Sequence, residues 1–260
     1  MSKFFNNLIK YRKYAIRSAK AELKSEITDS YLNWLWWIIE PLCFMLIYTF
    51  VFGYIFVSKE QYFAVFVFIG ITVWDFFNRM MLGSVKLIVN NRDLVTKVYI
   101  PKYILLFSKS LTYLFKLFLS FGIVIVLMLF LNVPFYGQIF YFFLILPILY
   151  IISFGLGCIL MHFGVYIQDL VNLTNIGLRF VYMLSGVFYN INSRLKGATK
   201  YLLLRANPIA FLMSEFRKTM IYGKNPSFEG LIVWLIIGII LCIIGVRMIH
   251  KNENSYAKVI

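Results

Sequence analysis

The chain has 260 residues, of which 61% are hydrophobic and 14% are charged, and its formal net charge is +15. Soluble domains are about half apolar and about a quarter charged, so this composition excludes an ordinary soluble domain and predicts an all-α integral membrane protein. The basic residues stand mainly at the ends of hydrophobic runs, which suits lipid headgroups and argues against nucleic acid as a partner. We therefore expect residues 1–260 to form a single transmembrane domain.

The first element in chain order is a basic, amphipathic segment at 3–29. Its apolar residues recur at steps of three, four or seven and share one helical stripe: Phe5, Ile9, Ile16, Ala19, Leu23 and Ile27. Lysines and arginines occupy the remaining faces, so the segment is predicted to be a helix that lies on the membrane surface. The alternative is a solvated helix that merely precedes a span.

Six apolar segments follow, and a helix needs about 20 such residues to cross the bilayer. The predicted spans are 35–57, 62–82, 110–131, 138–162, 172–190 and 229–249. An even number of spans places the basic N-terminal segment, the basic loop after the second span and the basic C-terminus on one side. The positive-inside rule makes that side the cytoplasm. The basic segment 191–228 would then lie outside, which is an exception that needs a structural reason.

No motif in the sequence indicates chemistry of its own. A phosphate-binding loop ending in Gly-Lys-Ser/Thr is missing from the sequence, so we expect no cofactor on this chain and no enzymatic activity. The carboxylates are scattered and the three cysteines lie singly in apolar runs, so we expect neither a catalytic residue nor a metal site. His162 and His250 are far apart in sequence and are interpreted as interfacial residues.

Charged side chains within the spans are few. Asp75 and Arg79 are four residues apart on the second span, so they share a helical face and are predicted to pair. Arg179 lies inside the fifth span. We interpret Arg79 and Arg179 as candidate contacts to lipid headgroups or to a diphosphate. Whether their side chains snorkel to the headgroups or face an internal path is left open by the sequence.

Several sequence blocks are typical of one known family. In chain order they are 30–42 with 48–52, 70–77 with 91–101, 168–170, 185–189 and 207–226. With this ordered set the chain resembles the permease subunit of ABC exporters for cell-surface polysaccharides, namely the O-antigen, capsule and teichoic acid transporters. The family usually has proline where Gly186 stands, so we expect a weaker helix break in the fifth span.

The resemblance implies a homodimeric channel in the bacterial cytoplasmic membrane, with two ABC ATPase subunits docked below it. ATP and Mg²⁺ would bind to those ATPase subunits, and the cargo would be a glycan linked to a lipid diphosphate. The stretch before the last span would fold as short helices in the outer leaflet. A related ABC permease that exports a drug or a small lipid-like molecule is the first alternative. A membrane-embedded lipid-modifying enzyme and a scaffold protein are the others.

The loop 87–102 is basic, is predicted to be cytoplasmic and is too long for a simple turn, so a short helix starting at Asp93 is predicted there. Together with the N-terminal helix it is the predicted docking surface for the ATPase. The residues assigned to this coupling role are Arg92, Asp93, Leu94, Val95, Lys97 and Val98.

Aromatic residues make up 19% of the chain, and they fit either membrane-interface belts or a channel whose rings contact sugars. The spans offer few polar groups to a hydrated polymer, whereas aromatic faces contact sugar rings without holding them tightly. The predicted channel-lining residues are Tyr48, Phe52, Trp74, Phe77, Phe188 and Tyr189. The alternative is that these rings pack between helices or face lipid.

Overall fold

The computed structural model describes residues 2–28, 31, 33–56, 60–191 and 203–259, and all regular structure in these ranges is helical. The helices are α1 (Ser2–Thr28), α2 (Trp36–Tyr48, continued by a π-helical stretch at Thr49–Ile55), α3 (Phe63–Val85), α4 (Leu87–Asn90), α5 (Arg92–Lys97), α6 (Tyr103–Phe130), α7 (Phe142–Tyr166, preceded by a 3₁₀ turn at Gly137–Tyr141), α8 (Leu170–Leu184), α9 (Pro208–Met220), α10 (Phe228–Lys251) and α11 (Glu253–Val259). The all-α prediction is confirmed.

Within the described residues, five helices are long and apolar enough to cross a membrane. They are Trp36–Ile55, Phe63–Val85, Tyr103–Phe130, Gly137–Tyr166 and Phe228–Lys251. They correspond to the predicted spans one to four and six. The third of these helices begins at Tyr103, earlier than the predicted start at 110. Its first turns lie beneath α1 and are buried. Residue 29, the end of the first predicted span at 57 and the segment 192–202 lie outside the described residues.

The fifth predicted span, 172–190, is shorter than expected. Helix α8 has 15 residues and ends at Leu184, so at 1.5 Å per residue it is about 22 Å long, less than the bilayer core. The chain breaks at Gly186, whose φ is +67°, a backbone conformation that suits glycine because it lacks a Cβ atom. The expectation of a weaker break in the absence of proline is therefore wrong, since glycine ends this helix by itself.

Consecutive spans run in opposite directions, so the helix ends gather at two ends of the bundle. We call the end with α4, α5 and α11 the lower end, and the end with α9 the upper end. At the lower end α1 reaches the start of α6, where Asn7 Nδ2 donates a hydrogen bond to the Tyr103 hydroxyl at 2.8 Å. The three basic segments that were predicted to share one side of the membrane lie together at this lower end. Helix α9 is one of the short helices predicted before the last span.

Helix α1 packs along the first half of α6, and its two carboxylates Glu22 and Glu26 form ion pairs with Lys109 and Lys116. The face that packs includes the buried Ala15 and Ala19. Ala19 belongs to the stripe that was predicted to face the membrane but is buried against the bundle, whereas Ile9 and Ile16 of the same stripe are 64% and 48% exposed. These isoleucines face away from the bundle, so a contact with the membrane surface stays a prediction.

The spans differ greatly in how much of them is buried. Helix α3 lies in the core, whereas α2 has Met45 as its only buried residue within the described side chains.

Helices α7 and α10 approach each other at glycines. A Cβ atom on Gly155 would lie 2.7 Å from the backbone nitrogen of Cys242, and one on Gly245 would lie 2.6 Å from Cys158 Cβ. Small residues permit this close contact between membrane helices.

Candidate functional site

An aromatic cluster joins α2, α3 and the end of α8. Phe188 is at its centre, and the centroid of its ring lies 4.5 Å from that of Tyr48 and 4.6 Å from that of Phe52. The rings of Phe52 and Phe188 are stacked, with an interplanar angle of 7°. Offset or tilted ring pairs at these distances attract each other beyond the burial of their surface. Phe188 therefore joins two neighbouring rings of α2 and its continuation to a distant part of the chain, a contact that both the channel hypothesis and its packing alternative allow.

Tyr182 extends this contact to α3, and the sequence analysis did not single it out. Its ring lies 5.4 Å from Phe188 and 5.0 Å from Trp74, and Trp74 lies 5.9 Å from Phe77. We refer to Tyr48, Phe52, Trp74, Phe77, Tyr182 and Phe188 as the aromatic cluster. Five of the six predicted channel residues belong to it. Tyr189 lies outside it, and its hydroxyl donates a hydrogen bond to the Met183 carbonyl oxygen at 3.1 Å.

The members of the aromatic cluster differ in exposure. Phe77 is buried, with 6% of its surface exposed, so it supports the cluster from the side of the core. The other five members are partly exposed, including the central Phe188. A row of partly exposed rings at the junction of α2, α3 and α8 is available to an occupant passing along these helices. That they line a channel stays a prediction.

A polar cavity of about 380 Å³ lies between α1, α2, α3 and α6. Arg79 Nε donates a hydrogen bond to Asp75 Oδ2 at 2.7 Å, which confirms the predicted pair, and Arg79 Nη2 lies 3.9 Å from Glu40 Oε2. The guanidinium of Arg79 thus faces two carboxylates, and a diphosphate would have to compete with them. Arg179 is exposed on α8 and has no salt bridge within the described part of the chain. The headgroup contacts of both arginines stay predictions.

The predicted coupling segment contains the expected short helix, α5. The helix begins at Arg92, so Asp93 lies in its first turn rather than at the cap position, and Asn91 precedes it. A carboxylate in the first turn is favourable because it faces the positive end of the helix dipole. The Asn91 side chain makes no cap, because it donates to the Leu87 carbonyl oxygen instead.

The residues assigned to coupling divide into two faces of α5. Val95 is buried and Leu94 is partly buried, so these two anchor the helix to the bundle. Arg92, Asp93, Lys97 and Val98 are exposed. Asp93 Oδ1 and Lys97 Nζ are 3.7 Å apart, and their side chains are 92% and 75% exposed. This exposed face is available to a partner protein.

A set of polar contacts ties the C-terminal helix α11 to the lower end. Glu253 Oε1 accepts a hydrogen bond from the Lys102 backbone N–H at 3.1 Å, and Lys102 Nζ donates to the Val95 carbonyl oxygen at 3.3 Å. Burial lowers the pKa of the Lys102 ammonium group, and the negative charge of Glu253 opposes this effect. His250 Nδ1 lies 3.4 Å from Glu253 Oε2.

His162 is not an isolated interfacial histidine, contrary to the interpretation of the sequence. Its Nδ1 lies 2.6 Å from the hydroxyl of Tyr256, and both side chains are buried. Because the two residues are 94 positions apart, no local pattern in the sequence could have indicated this pair.

Arg217 explains part of the basic segment 191–228. Its buried guanidinium donates hydrogen bonds to the carbonyl oxygens of Phe66, Gly186 and Val187 at 2.9, 2.8 and 2.7 Å. It also lies over the Phe66 ring, with Cζ 3.5 Å from the centroid. This positive charge joins α9 to α3 and to the chain after α8, so it serves the packing of the upper end. It is not a surface charge of the kind that the positive-inside rule counts.

Comparison with known proteins places this arrangement in a family. The chain is 25% identical to an O-antigen export system permease protein of Myxococcus xanthus, over 99% of both chains. It is 21% identical to a protein of the same description from Klebsiella pneumoniae, over 92% of both. The sequence profile of the family described as ABC-2 type transporter matches residues 16–221, most of the chain. This multi-pass membrane protein belongs to the ABC-2 type transporter family.

Proposed function

We propose that this chain is the membrane-spanning subunit of an ATP-driven exporter that moves a lipid-linked polysaccharide across the bacterial cytoplasmic membrane. The observation that carries the proposal is the full-length similarity to permeases described as O-antigen export proteins. The aromatic cluster supports it, because partly exposed rings suit a cargo of sugar units that has to keep moving.

The transport path forms between two copies of the chain. Helices α2 and α8 carry Tyr48 and Tyr182 of the aromatic cluster on one face and expose apolar residues on their other faces, which are available to a second copy. These exposed apolar residues include Leu46, Ile47 and Phe50 of α2 and its continuation, and Leu173, Ile176 and Phe180 of α8. The remaining apolar surface faces membrane lipids.

The lower end faces the cytoplasm, and both termini lie there. Two separate ABC ATPase subunits bind to the exposed face of α5 and supply ATP and Mg²⁺, since the sequence has no phosphate-binding loop of its own. The cargo is linked through a diphosphate to a lipid anchor. This anchor lies in the membrane when the cargo reaches the path.

Deletion of the gene tests the proposal in a strain that displays a surface polysaccharide. We expect the polysaccharide to be lost from the surface and to accumulate inside, and we expect the wild-type chain to restore export. A normal surface polysaccharide combined with new sensitivity to an amphiphilic drug would instead indicate the drug-exporting alternative.

Docking is tested by exchanging the two charges of the exposed pair, with Asp93→Lys and Lys97→Asp in one chain. The ATPase subunit of the same exporter is co-expressed and co-purified with each form. We expect the exchanged form to retain less ATPase at an equal amount of permease. Equal retention would show that the ATPase docks elsewhere.

A further inference from the structure

Helix α11 is tied to α5 through Lys102. The Glu253 carboxylate is 8% exposed and accepts the Lys102 backbone N–H, while the Lys102 ammonium donates to the carbonyl oxygen of Val95 in α5. Lys102 itself is 4% exposed. A charged hydrogen bond away from water is roughly twice as strong as a neutral one. The position of α5 is therefore linked to α11 by two successive bonds.

A second contact fixes α11 to the bundle. Tyr256 is completely buried, and its hydroxyl lies 2.6 Å from His162 Nδ1 at the lower part of α7. Its ring lies 6.1 Å from that of Tyr166 near the end of the same helix. Helix α11 thus connects a membrane-spanning helix with the coupling segment.

Helix α5 needs such a support. It has six residues and no side-chain cap, and isolated helices shorter than about 12 residues are marginal in water. Only Val95 is buried among its residues. Besides the packing of Val95 and Leu94, the orientation of its exposed face is supported from outside the helix by Lys102, whose backbone is held by Glu253.

We propose that α11 is a brace for the coupling segment and that Glu253 is the positioning residue that holds α5 in the orientation in which it transmits movement from the ATPase. The inference rests on the proposed docking of the ATPase at α5. Binding of the ATPase uses the exposed face of α5, which Glu253 does not contribute to. Loss of the brace therefore reduces coupling more than it reduces binding.

The test compares Glu253→Ala with Glu253→Gln in the full permease–ATPase complex. The matched control is Asn254→Ala, at the exposed neighbouring position. Hydrogen exchange of the Lys102 amide reports the bond directly, and we expect it to be about tenfold faster in Glu253→Ala. We expect polysaccharide export per permease molecule to fall severalfold while ATPase co-purification is retained. Glu253→Gln keeps an oxygen that accepts the same N–H, so we expect it to restore most of both readouts.

A second variant, Lys102→Met, covers the case in which Glu253→Ala does not accumulate. It removes the bond to Val95 but keeps the backbone N–H, and we expect faster exchange in 92–98 together with reduced export. If exchange and export are normal in the variant that accumulates, the brace is wrong. Equal ATPase retention after the Asp93–Lys97 exchange would overturn the docking site instead, so the two failures are distinguishable.

Discussion

The upper and lower ends of the molecule both use a charged side chain to bind backbone groups, but they do so differently. At the upper end a single guanidinium, that of Arg217, binds three carbonyl oxygens and is enclosed by protein. At the lower end the contacts are divided among Glu253, Lys102 and His250, and the His250 side chain is 65% exposed. At the upper end, one side chain therefore fixes three segments in a single geometry. At the lower end, one contact can change while the other contacts stay in place.

This difference fits the tasks proposed for the two ends. The upper end keeps the short α8 joined to the start of α3, where a gap would expose backbone to the membrane. In the proposed complex, the lower end has to follow an ATPase that changes shape during its reaction cycle. Substitutions that remove the contacts of the upper end and those that remove the contacts of the lower end should therefore reduce stability and export to different extents.

Replacement of Arg217 by Met should have the largest effect on stability. It removes three charge-assisted hydrogen bonds to the carbonyl oxygens of Phe66, Gly186 and Val187, and at about 1.5–3 kcal/mol for each the loss exceeds about 4 kcal/mol. Thermal unfolding of the detergent-purified protein measures it. The control is Lys218→Met, which removes a cation 3.6 Å from Glu215 on the same helix. Similar unfolding temperatures for the two variants would contradict the rigid upper end.

Replacement of two phenylalanines in the upper half distinguishes a role in packing from a role in transport. Phe216 is fully buried, with ring centroids 5.3 Å from Phe121 and 5.7 Å from Phe142, so its replacement by Ala should cost about 3–5 kcal/mol. Phe188 is only partly buried, and its replacement by Ala should cost about 1–2 kcal/mol.

The decisive readout for this pair is surface polysaccharide per molecule of folded permease. We expect it to fall for Phe188→Ala and to stay normal for Phe216→Ala, whose loss follows the amount of protein. Normal export per molecule with Phe188→Ala would mean that the aromatic cluster serves packing alone.

Replacement of Tyr256 by Phe should have a smaller effect. It removes the hydroxyl next to His162 Nδ1 but keeps the buried ring, and one lost hydrogen bond costs about 1 kcal/mol. A double-mutant cycle with His162→Gln measures the coupling between the two side chains. Additive losses would show that the two groups do not interact, and the attachment of α11 to α7 would then rest on apolar contact.

The Asp93–Lys97 exchange should change stability least. Exposed ion pairs contribute about 0–0.5 kcal/mol, and the exchange keeps an opposite pair but reverses it relative to the dipole of α5, which adds a cost of similar size. We expect at most a small drop in unfolding temperature beside the expected loss of ATPase retention. A drop as large as that of Tyr256→Phe would show that these residues support the fold of the lower end.

The spans could be predicted from the sequence because hydropathy is a property of contiguous residues. The pair Asp75 and Arg79 was predicted for a similar reason, since its members are one helical turn apart. Five members of the aromatic cluster were selected individually, but their meeting depends on how α2, α3 and α8 pack. Tyr182 is the link between them and has no local feature that distinguishes it from other tyrosines in the chain.

Other contacts that the sequence does not indicate join distant residues through buried polar groups. Glu253 contacts Lys102 over 151 positions, as Arg217 contacts Phe66. Burial gives these side chains their role, and burial follows from tertiary packing. The break at Gly186 has a different origin. The conformational freedom of glycine ends the helix there in the absence of proline.

The glycine contacts between α7 and α10 have a consequence for where acyl chains of the surrounding lipids can enter the protein. Gly155 and Gly245 bring the two helices to backbone contact, which leaves no gap for an acyl chain to pass between them. Lipids are therefore excluded from the interface between α7 and α10 as long as these two helices stay in contact at the glycines. A lipid tail that enters the protein sideways therefore does so elsewhere, and α2 and α8 are among the helices that expose apolar side chains.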